Sequence, residues 1–442
     1  MIQPLPRSEE SPTDADFKHQ RNSQVKIAII GAGISGLTAA HLLHARHEIV
    51  LYEADSRLGG HTNTIKVSAP DGEYEVDTGF IVMNDRNYPH FTRLLDRLRV
   101  ARQPTHMSFS VSSPDASFEY AGTPRGLLAQ PRNLVSPTFT RMILDLLRFN
   151  RELRRVLEGD STASRRSESL SEFLERHRFS GAFVEKLIVP QAAAVWSADP
   201  RQMRTFPVGF LAEFFHNHGM LGFRDRPRWE TIAGGSARYV EALTAPFRER
   251  IRINSPVRAV ERHADHITVH VDGAAPERYD QVVIATHSDQ ALSILRDPSD
   301  RERELLGAIL YQPNQATLHT DSRLLPRRHA VRAAWNYHLL PRPKPLPTVT
   351  YWMNHLQRLR AQQDYCVTLN HSEAIDPARI ISRISYSHPV FTHHGVAAQA
   401  RHGEISGLHS RTHYCGAYWG WGFHEDGVRS AVDACKPFEV SL

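Results

Sequence analysis

"VKIAIIGAGISGLTAAHLL", residues 25–43, decides the fold. Val25 to Ile30 form the short apolar run that a strand buried on both faces requires. Glycines follow at positions 31, 33 and 36, and an Ala/Leu-rich helical pattern follows them. In a strand–turn–helix of this kind the first glycine permits a tight turn. The second lets a pyrophosphate approach the backbone, and the third lets helix and strand pack closely. The free N–H groups of the helix N-terminus then face the phosphates. The spacing therefore predicts a dinucleotide-binding βαβ unit in an α/β chain.

The segments downstream say which dinucleotide. "HEIVLYEA" reads as a second strand ending at Glu53, 22 residues after Gly31. A carboxylate there accepts both hydroxyls of the adenosine ribose and repels a 2′-phosphate, which argues against NADP. "ADSRLGGHTNT" then supplies Arg57, Gly59 and Gly60 where an NAD enzyme would enter another helix at once. "YEVDTGF" closes a short strand with Asp77 and Gly79, residues without a task in an NAD enzyme. A second glycine pair with an arginine is what an FAD enzyme of the glutathione-reductase type uses to hold more of its dinucleotide.

Composition narrows the class further. At 442 residues the chain is too long for one core, so two lobes are expected. A formal charge of +5 is a mild basic bias, consistent with attraction to phospholipid headgroups. No compact Lys/Arg run alternates with exposed aromatics, so nucleic acid is not expected as a partner. Cys366, Cys415 and Cys435 form no CxxC pair and support neither a disulfide framework nor a thiolate zinc site. The pairs His216/His218 and His393/His394 lack a third ligand at a telling spacing, so no metal is expected. Residues 1–24 are polar, without an apolar signal core, and read as a disordered tail. The expected location is cytoplasmic, with peripheral contact at the inner membrane face left open.

From its Gly-rich turn onward the chain resembles the flavin amine oxidase superfamily, which includes monoamine oxidases, polyamine oxidases and phytoene desaturases. "WETIAGGSARYVEAL" is similar to the family's Gly-Gly turn, at Gly234 and Gly235. "INSPVRAVER" resembles the strand whose backbone, around Val257, contacts adenine, and "YDQVVIATHSDQAL" the late buried strand ending at Ala285 and Thr286. Ser288 or Asp289 is then placed to cap the next helix. The stretches "GGHTNT", "VDTGFIVMN", "MSFSV", "FFHNHGML", "YWMNHLQ" and "GFHEDG" resemble a bacterial branch associated with cyclopropane-fatty-acid synthases. The resemblance implies FAD as cofactor, a glutathione-reductase-type Rossmann-like domain interleaved with an α+β substrate domain, and a lipid substrate. It also implies which residues hold the cofactor. These are Gly31, Gly33, Ile34, Ser35 and Gly36 at the first turn, and Glu53, Ala54, Arg57, Gly59, Gly60, His61 and Thr62 after the second strand. Asp77, Thr78, Gly79, Val257, Ala285 and Thr286 follow, with Gly416, Phe423, Glu425, Asp426 and Gly427 at the C-terminal motif.

That last motif, "HYCGAYWGWGFHEDGVRSA", combines bare backbone with flat rings. Val428, Ala431, Val432 and Cys435 recur at helical spacing, which predicts a helix starting near Asp426. Its N-terminus would face the flavin and stabilise the negative charge that reduction creates. Trp419, Trp421 and Phe423 would flank the ring or line the substrate cavity, and His424 would shuttle a proton near neutral pH. The expected catalytic set is thus His424, Trp421 and Trp419. The chain departs from amine oxidases in three places. Ala417 stands where they carry an acid, His424 where they carry an aromatic cage residue, and no counterpart of their lysine near the flavin is found.

The dinucleotide domain is expected from 25–105, 230–300 and 401–442, and the substrate domain from 106–229 and 301–400. "FTRMILDLLRFNRELRRVLEG" carries an apolar stripe of Met142, Leu144, Leu147, Phe149 and Leu153 beside many arginines. Such a helix packs in a domain with a solvated basic face, or lies on a membrane surface. "RRVLEGDSTASRRSESL" contains a polar loop, and "NQATLHT" and "TVTYWMN" alternate as antiparallel strands. The function expected first is FAD-dependent oxidation of an unsaturated or modified fatty acyl chain by hydride transfer to flavin. The alternatives are a double-bond isomerase, an amine oxidase, and a non-catalytic FAD-binding partner of a lipid methyltransferase or cyclopropane synthase.

Overall fold

The computed structural model describes residues 24–158, 168–222 and 226–442. Residues 1–23 of the expected tail, and 159–167 of the expected polar loop, lie outside them. Lys26–Ile30 is the central strand of a five-stranded parallel sheet. Its order is Ile251–Arg252, Glu48–Tyr52, Lys26–Ile30, Gln281–Ile284 and Thr412–Tyr414. Alternate residues serve opposite faces, as strand periodicity demands. Ile27, Ile29, Leu51 and Val283 pack under helices Ile34–Leu43, Ala237–Thr244 and His424–Cys435. Ala28, Ile30, Val50, Tyr52, Val282 and Ile284 form the opposite core with an antiparallel meander, Val257–Arg262, Ile267–Val271 and Glu277–Tyr279. From the central strand the chain moves first to one side and later to the other. That reversal opens a crevice at the strand's carboxyl end, where Gly31 to Gly33 sit. The expected α/β class, with a Rossmann-like domain beside a substrate domain, holds.

The second lobe is built on a seven-stranded sheet. In order it runs Ile380–Val390, Leu310–His319, Cys366–Leu369, Val349–Trp352, Trp335–His338, Phe109–Ser112 and Glu119–Ala121. Both stretches expected to alternate are strands of this sheet. Two further strands, 109–112 and 119–121, come from the first substrate-domain segment, 106–229, and Phe109–Ser112 joins Trp335–His338 in parallel.

Helix Pro137–Glu158 corrects the expected stripe. Met142, Phe149 and Leu153 are buried in the largest core, but Leu144 and Leu147 stand 57% and 47% exposed. The inward face is completed by Phe139 and by two carboxylates, Asp145 and Glu152, whose charges are met by arginines of the same helix. Two other expectations shift locally. Helix Ser288–Ile294 is preceded by His287 in the cap position, its N–H bonded to Gln290 Oε1, so neither Ser288 nor Asp289 caps it. The last helix starts at His424, with Asp426 in its first turn. No described helix is long and apolar enough to cross a membrane.

Candidate functional site

The three glycines of the first turn do three different things. Gly31 has φ +98°, and a Cβ there would lie 3.0 Å from the Ala285 carbonyl oxygen. A Cβ on Gly36 would lie 1.9 Å from the Gly31 oxygen, so helix and turn touch through bare backbone. A Cβ on Gly33 would meet nothing within 4 Å. The chain is packed on both sides of this residue and open at it. Helix Ile34–Leu43 begins there with no side-chain cap, leaving first-turn N–H groups for an anion. The N-terminus of helix His424–Cys435 arrives at the same place. A Cβ on Gly427 would lie 2.7 Å from Ile34 Cγ2 and 3.0 Å from Ser35 Oγ, so the first turns of two helices abut.

Around this point stand the acceptors and clamps. Glu53 Oε2 accepts the Ala32 N–H at 2.7 Å and Oε1 the Asp55 N–H at 2.9 Å, beside exposed Ala54. Arg57 donates to the carbonyls of Gly60 at 2.7 Å and Thr62 at 3.2 Å, fixing the left-handed turn at Gly59 and Gly60. That turn rests on Gly33, whose Cα would be 3.2 Å from a Cβ on Gly60. Ala285 N–H bonds the Ile30 carbonyl at 2.8 Å, so Ala285 and Thr286 close the far wall, and Val257 opens the meander strand. A strand-end carboxylate, an open glycine and two convergent helix N-termini fit FAD: a ribose, a pyrophosphate and an electron-rich ring each have a matching group.

Several residues expected to touch the cofactor have side chains bonded within the protein. Asp77 is fully buried and accepts from Ser236 N–H at 2.9 Å, Ser236 Oγ at 2.7 Å, Thr64 Oγ1 at 2.5 Å and Gln357 Nε2 at 3.0 Å. Burial pushes its carboxyl up to about 6. It ties the Thr64–Asp77 hairpin to the Gly234–Gly235 turn. Thr78 Oγ1 bonds the Asn63 carbonyl and the Tyr386 hydroxyl, and a Cβ on Gly79 would lie 2.0 Å from the His61 oxygen. Glu425 caps the neighbouring helix Pro89–Leu98, accepting from the N–H of His90 at 3.1 Å and of Phe91 at 2.9 Å. Asp426 accepts the N–H groups of Trp421 and Phe423, both at 3.1 Å, and so shapes the glycine-tryptophan turn. Gly416 donates to Ser430 Oγ and lies against Tyr418.

His424 is the main correction. Its ring is stacked on Phe80 at 3.7 Å, and Nε2 lies 2.9 Å from Thr62 Oγ1 and 3.0 Å from the Tyr239 hydroxyl. Burial lowers its pKa to about 3, which keeps the ring neutral near pH 7. It pins the Gly59–Thr62 loop to the last helix. Trp419 packs on His402 at 4.5 Å beneath the parallel sheet, in the core away from the substrate lobe. Trp421 and Phe423 do face that lobe. Trp421 meets Phe210 at 5.9 Å and Phe423 stacks on Phe214 at 5.4 Å. With Trp196, Phe206 and Phe391 they form an aromatic wall, and Trp421 Nε1 is a buried donor with no partner among the described residues.

Sequence reading missed a second cluster, where the lobes meet. His61 stacks on Tyr386 at 4.9 Å and meets His388 at 5.2 Å and His287 at 6.0 Å. Burial and mutual repulsion push the pKa of His61 well below the ordinary histidine range, and that of His388 down to about 4. Asn314 Nδ2 donates to His388 Nδ1 at 2.9 Å, while Asn314 Oδ1 accepts from Asn370 Nδ2 at 2.8 Å. This chain leaves the His388 proton on Nε2. The available signal was the strand alternation that puts Tyr386 and His388 on one face. By contrast His218 ends its helix, its Nδ1 2.9 Å from the Phe214 carbonyl oxygen, and His393 and His394 are exposed.

Comparison with known proteins follows the same lines. The profile of the family described as "Flavin containing amine oxidoreductase" matches residues 34–341. Protoporphyrinogen oxidase 2, chloroplastic/mitochondrial, of Arabidopsis thaliana is 28% identical over 193 residues, covering 42% of this chain and 35% of that protein. The aligned part therefore spans about a third of that relative's length. Cyclohexylamine oxidase from Brevibacterium oxydans IH-35A superposes with a TM-score of 0.64 at 17% identity, over 94% of this chain and 99% of the other. A CLA-producing fatty acid isomerase from P. acnes does so at 0.63 and 15% identity, over 94% and 98%. The chain belongs to the flavin containing amine oxidoreductase family, and its crevice fits the flavin dinucleotide.

Proposed function

We infer that the substrate is a lipid, an unsaturated or modified fatty acyl chain, oxidised between the two lobes. The aromatic cluster carries this reading, because half-buried Phe210, Trp421 and Phe423, backed by buried Phe206, Phe214 and Phe391, put an apolar ring cluster beside the glycine-tryptophan turn. FAD, when bound, would supply the redox chemistry as a hydride acceptor. Gly31, Gly33 and the two helix N-termini would hold the pyrophosphate and the ring, and Glu53 would accept the ribose hydroxyls. The wall orients the chain and excludes water. His388, neutral and oriented by Asn314, donates a hydrogen bond from Nε2 to the acyl carboxyl or ester without adding charge. Replacing it with Gln should leave FAD binding intact and lower kcat/KM about tenfold or more.

The amine-oxidase reading has the family's name behind it, but Ala417 and His424 stand where that chemistry would want an acid and an aromatic. The resemblance to the cyclopropane-synthase-associated branch supports a phospholipid acyl chain and a lipid-modifying partner. The test is turnover of the FAD-loaded protein in oxygen on fatty acids, phospholipids and primary amines, with products weighed. A lipid product lighter by two hydrogens supports the proposal. An isomer of unchanged mass moves the chain to double-bond migration, and aldehyde from an amine overturns the lipid reading.

A further inference from the structure

Among the described residues eight large apolar side chains stand exposed, and five fall in one short stretch: Leu128, Leu134, Val135, Leu144 and Leu147. Scattered leucines are ordinary on a soluble surface, but a cluster is not. The stretch comprises the short helices Pro124–Leu128 and Pro131–Leu134 and the first half of Pro137–Glu158. Leu144 and Leu147, three apart, share the outward face of the long helix, while Phe139, Met142 and Phe149 fill the inward one.

The charges are sorted in the same way. Between positions 124 and 157 lie seven arginines, at 125, 132, 141, 148, 151, 154 and 155, and no lysine. The two acids, Asp145 and Glu152, have side chains 2% and 8% exposed and point inward. Every carboxylate between 124 and 157 is thus withdrawn, and the outer surface there carries apolar and guanidinium groups beside the hydroxyls of Thr138 and Thr140, with exposed Glu158 at the far end of the long helix. Water solvates such a surface poorly. An anionic bilayer satisfies both halves, since the apolar tips enter the acyl boundary and arginine heads remain among the phosphates.

We propose that this face is a docking surface for an anionic phospholipid membrane. The occupant is a bilayer rather than a protein because the exposed leucines and Val135 stand among arginines with no exposed carboxylate between them, the charge pattern that anionic headgroups complement. The long helix packs against Val208–Asn217, whose Phe210 and Phe214 meet Trp421 and Phe423. One layer of helix therefore separates the docked face from the aromatic wall. The inference stands on the surface itself and does not require the substrate to be a lipid.

The test uses the full chain loaded with FAD and sedimented with vesicles of phosphatidylcholine alone or mixed with phosphatidylglycerol. The wild type should bind the mixed vesicles and not the neutral ones, with binding weakened by salt. The double variant Leu144→Glu/Leu147→Glu should lose about tenfold or more of that partitioning, as should Arg125→Glu/Arg132→Glu. Ile381→Glu, on the edge of the second sheet, should bind as the wild type does. Retained flavin absorbance and melting temperature establish that the variants fold. Equal binding to both vesicle types, or unchanged binding of the leucine variant, overturns the proposal. So does absence of binding to any vesicle, which would assign the face to a protein.

Discussion

The dinucleotide crevice and the substrate lobe are built by different means. In the crevice the backbone does the recognising. Gly31, Gly33 and Gly36 each hold a place that a single methyl group would close or obstruct, and two helix N-termini supply the donors. In the substrate lobe side chains do it, and they arrive from strands and helices far apart in sequence. Trp421 meets Phe210, and His61 meets His388. A site made of backbone tolerates few substitutions and has fixed spacing. A site made of side chains is fixed only in space.

The glycines give the sharpest way to break this contrast. Gly36→Ala places a methyl 1.9 Å from the Gly31 oxygen and should cost at least about 3 kcal/mol. Gly33→Ala, at an open position with φ −73°, should change stability by no more than about 0.5 kcal/mol. It should nevertheless weaken FAD about tenfold, because the methyl stands where the pyrophosphate approaches. Urea unfolding of the apoprotein and FAD titration check both halves. Equal losses of stability would mean that the turn is merely tight throughout.

Acid should separate the regions next. Burial holds His218, His319, His338 and His388 of the substrate lobe at about 4, 4, 3 and 4, and His413 and His424 of the dinucleotide domain at about 4 and 3. These values lie below the unfolded one. The histidines' contribution is therefore complete above pH 6.5 and lost below it, by about 1.4 kcal/mol per residue per pH unit. Asp77 and Asp426, pushed up to about 6, act in the opposite sense and regain stability as pH falls from 6 toward 4. On the strands themselves three of these histidines, His319, His338 and His388, lie in the seven-stranded sheet and one, His413, in the parallel sheet, while both raised acids lie outside the two sheets, so the seven-stranded sheet should open first. The differential is about 3 kcal/mol at pH 5.5. Hydrogen exchange at pH 7 and 5.5, corrected for intrinsic rates, reads it directly.

The smallest effect tests whether the C-terminal acids serve packing or cofactor. Glu425→Ala removes the acceptor for His90 and Phe91 N–H groups and should cost about 1 kcal/mol while leaving FAD affinity unchanged. A fall in affinity with stability intact would return Glu425 to the cofactor.

How much could be read in advance follows from the same contrast. The turn from Gly31 to Gly36, the carboxylate of Glu53 and the Arg57 clamp were legible because each depends on spacing along one continuous segment. Glu425, Asp426 and Asp77 were legible as important but not in their roles. A carboxylate near a helix start serves a ligand or a neighbouring backbone, and only the fold shows that Pro89–Leu98 begins beside Glu425. His424 misled for the same reason: its motif lies at the crevice, but its ring turns inward onto Phe80. The His61–His287–His388 cluster was hidden because its members lie on three elements joined only when the lobes close. The stripe of Pro137–Glu158 failed at Leu144 and Leu147 because two buried carboxylates, each met by arginines, occupy part of the inward face.

The most direct measurement is anaerobic mixing of the FAD-loaded protein with unsaturated fatty acids and phospholipids, following the flavin's visible absorbance. The account predicts that the absorbance bleaches with lipid, that primary amines leave it unchanged, and that the recovered lipid has lost two hydrogens. Bleaching by amines with lipids inert would contradict it, and would place this chain with the amine oxidases in chemistry as well as in fold.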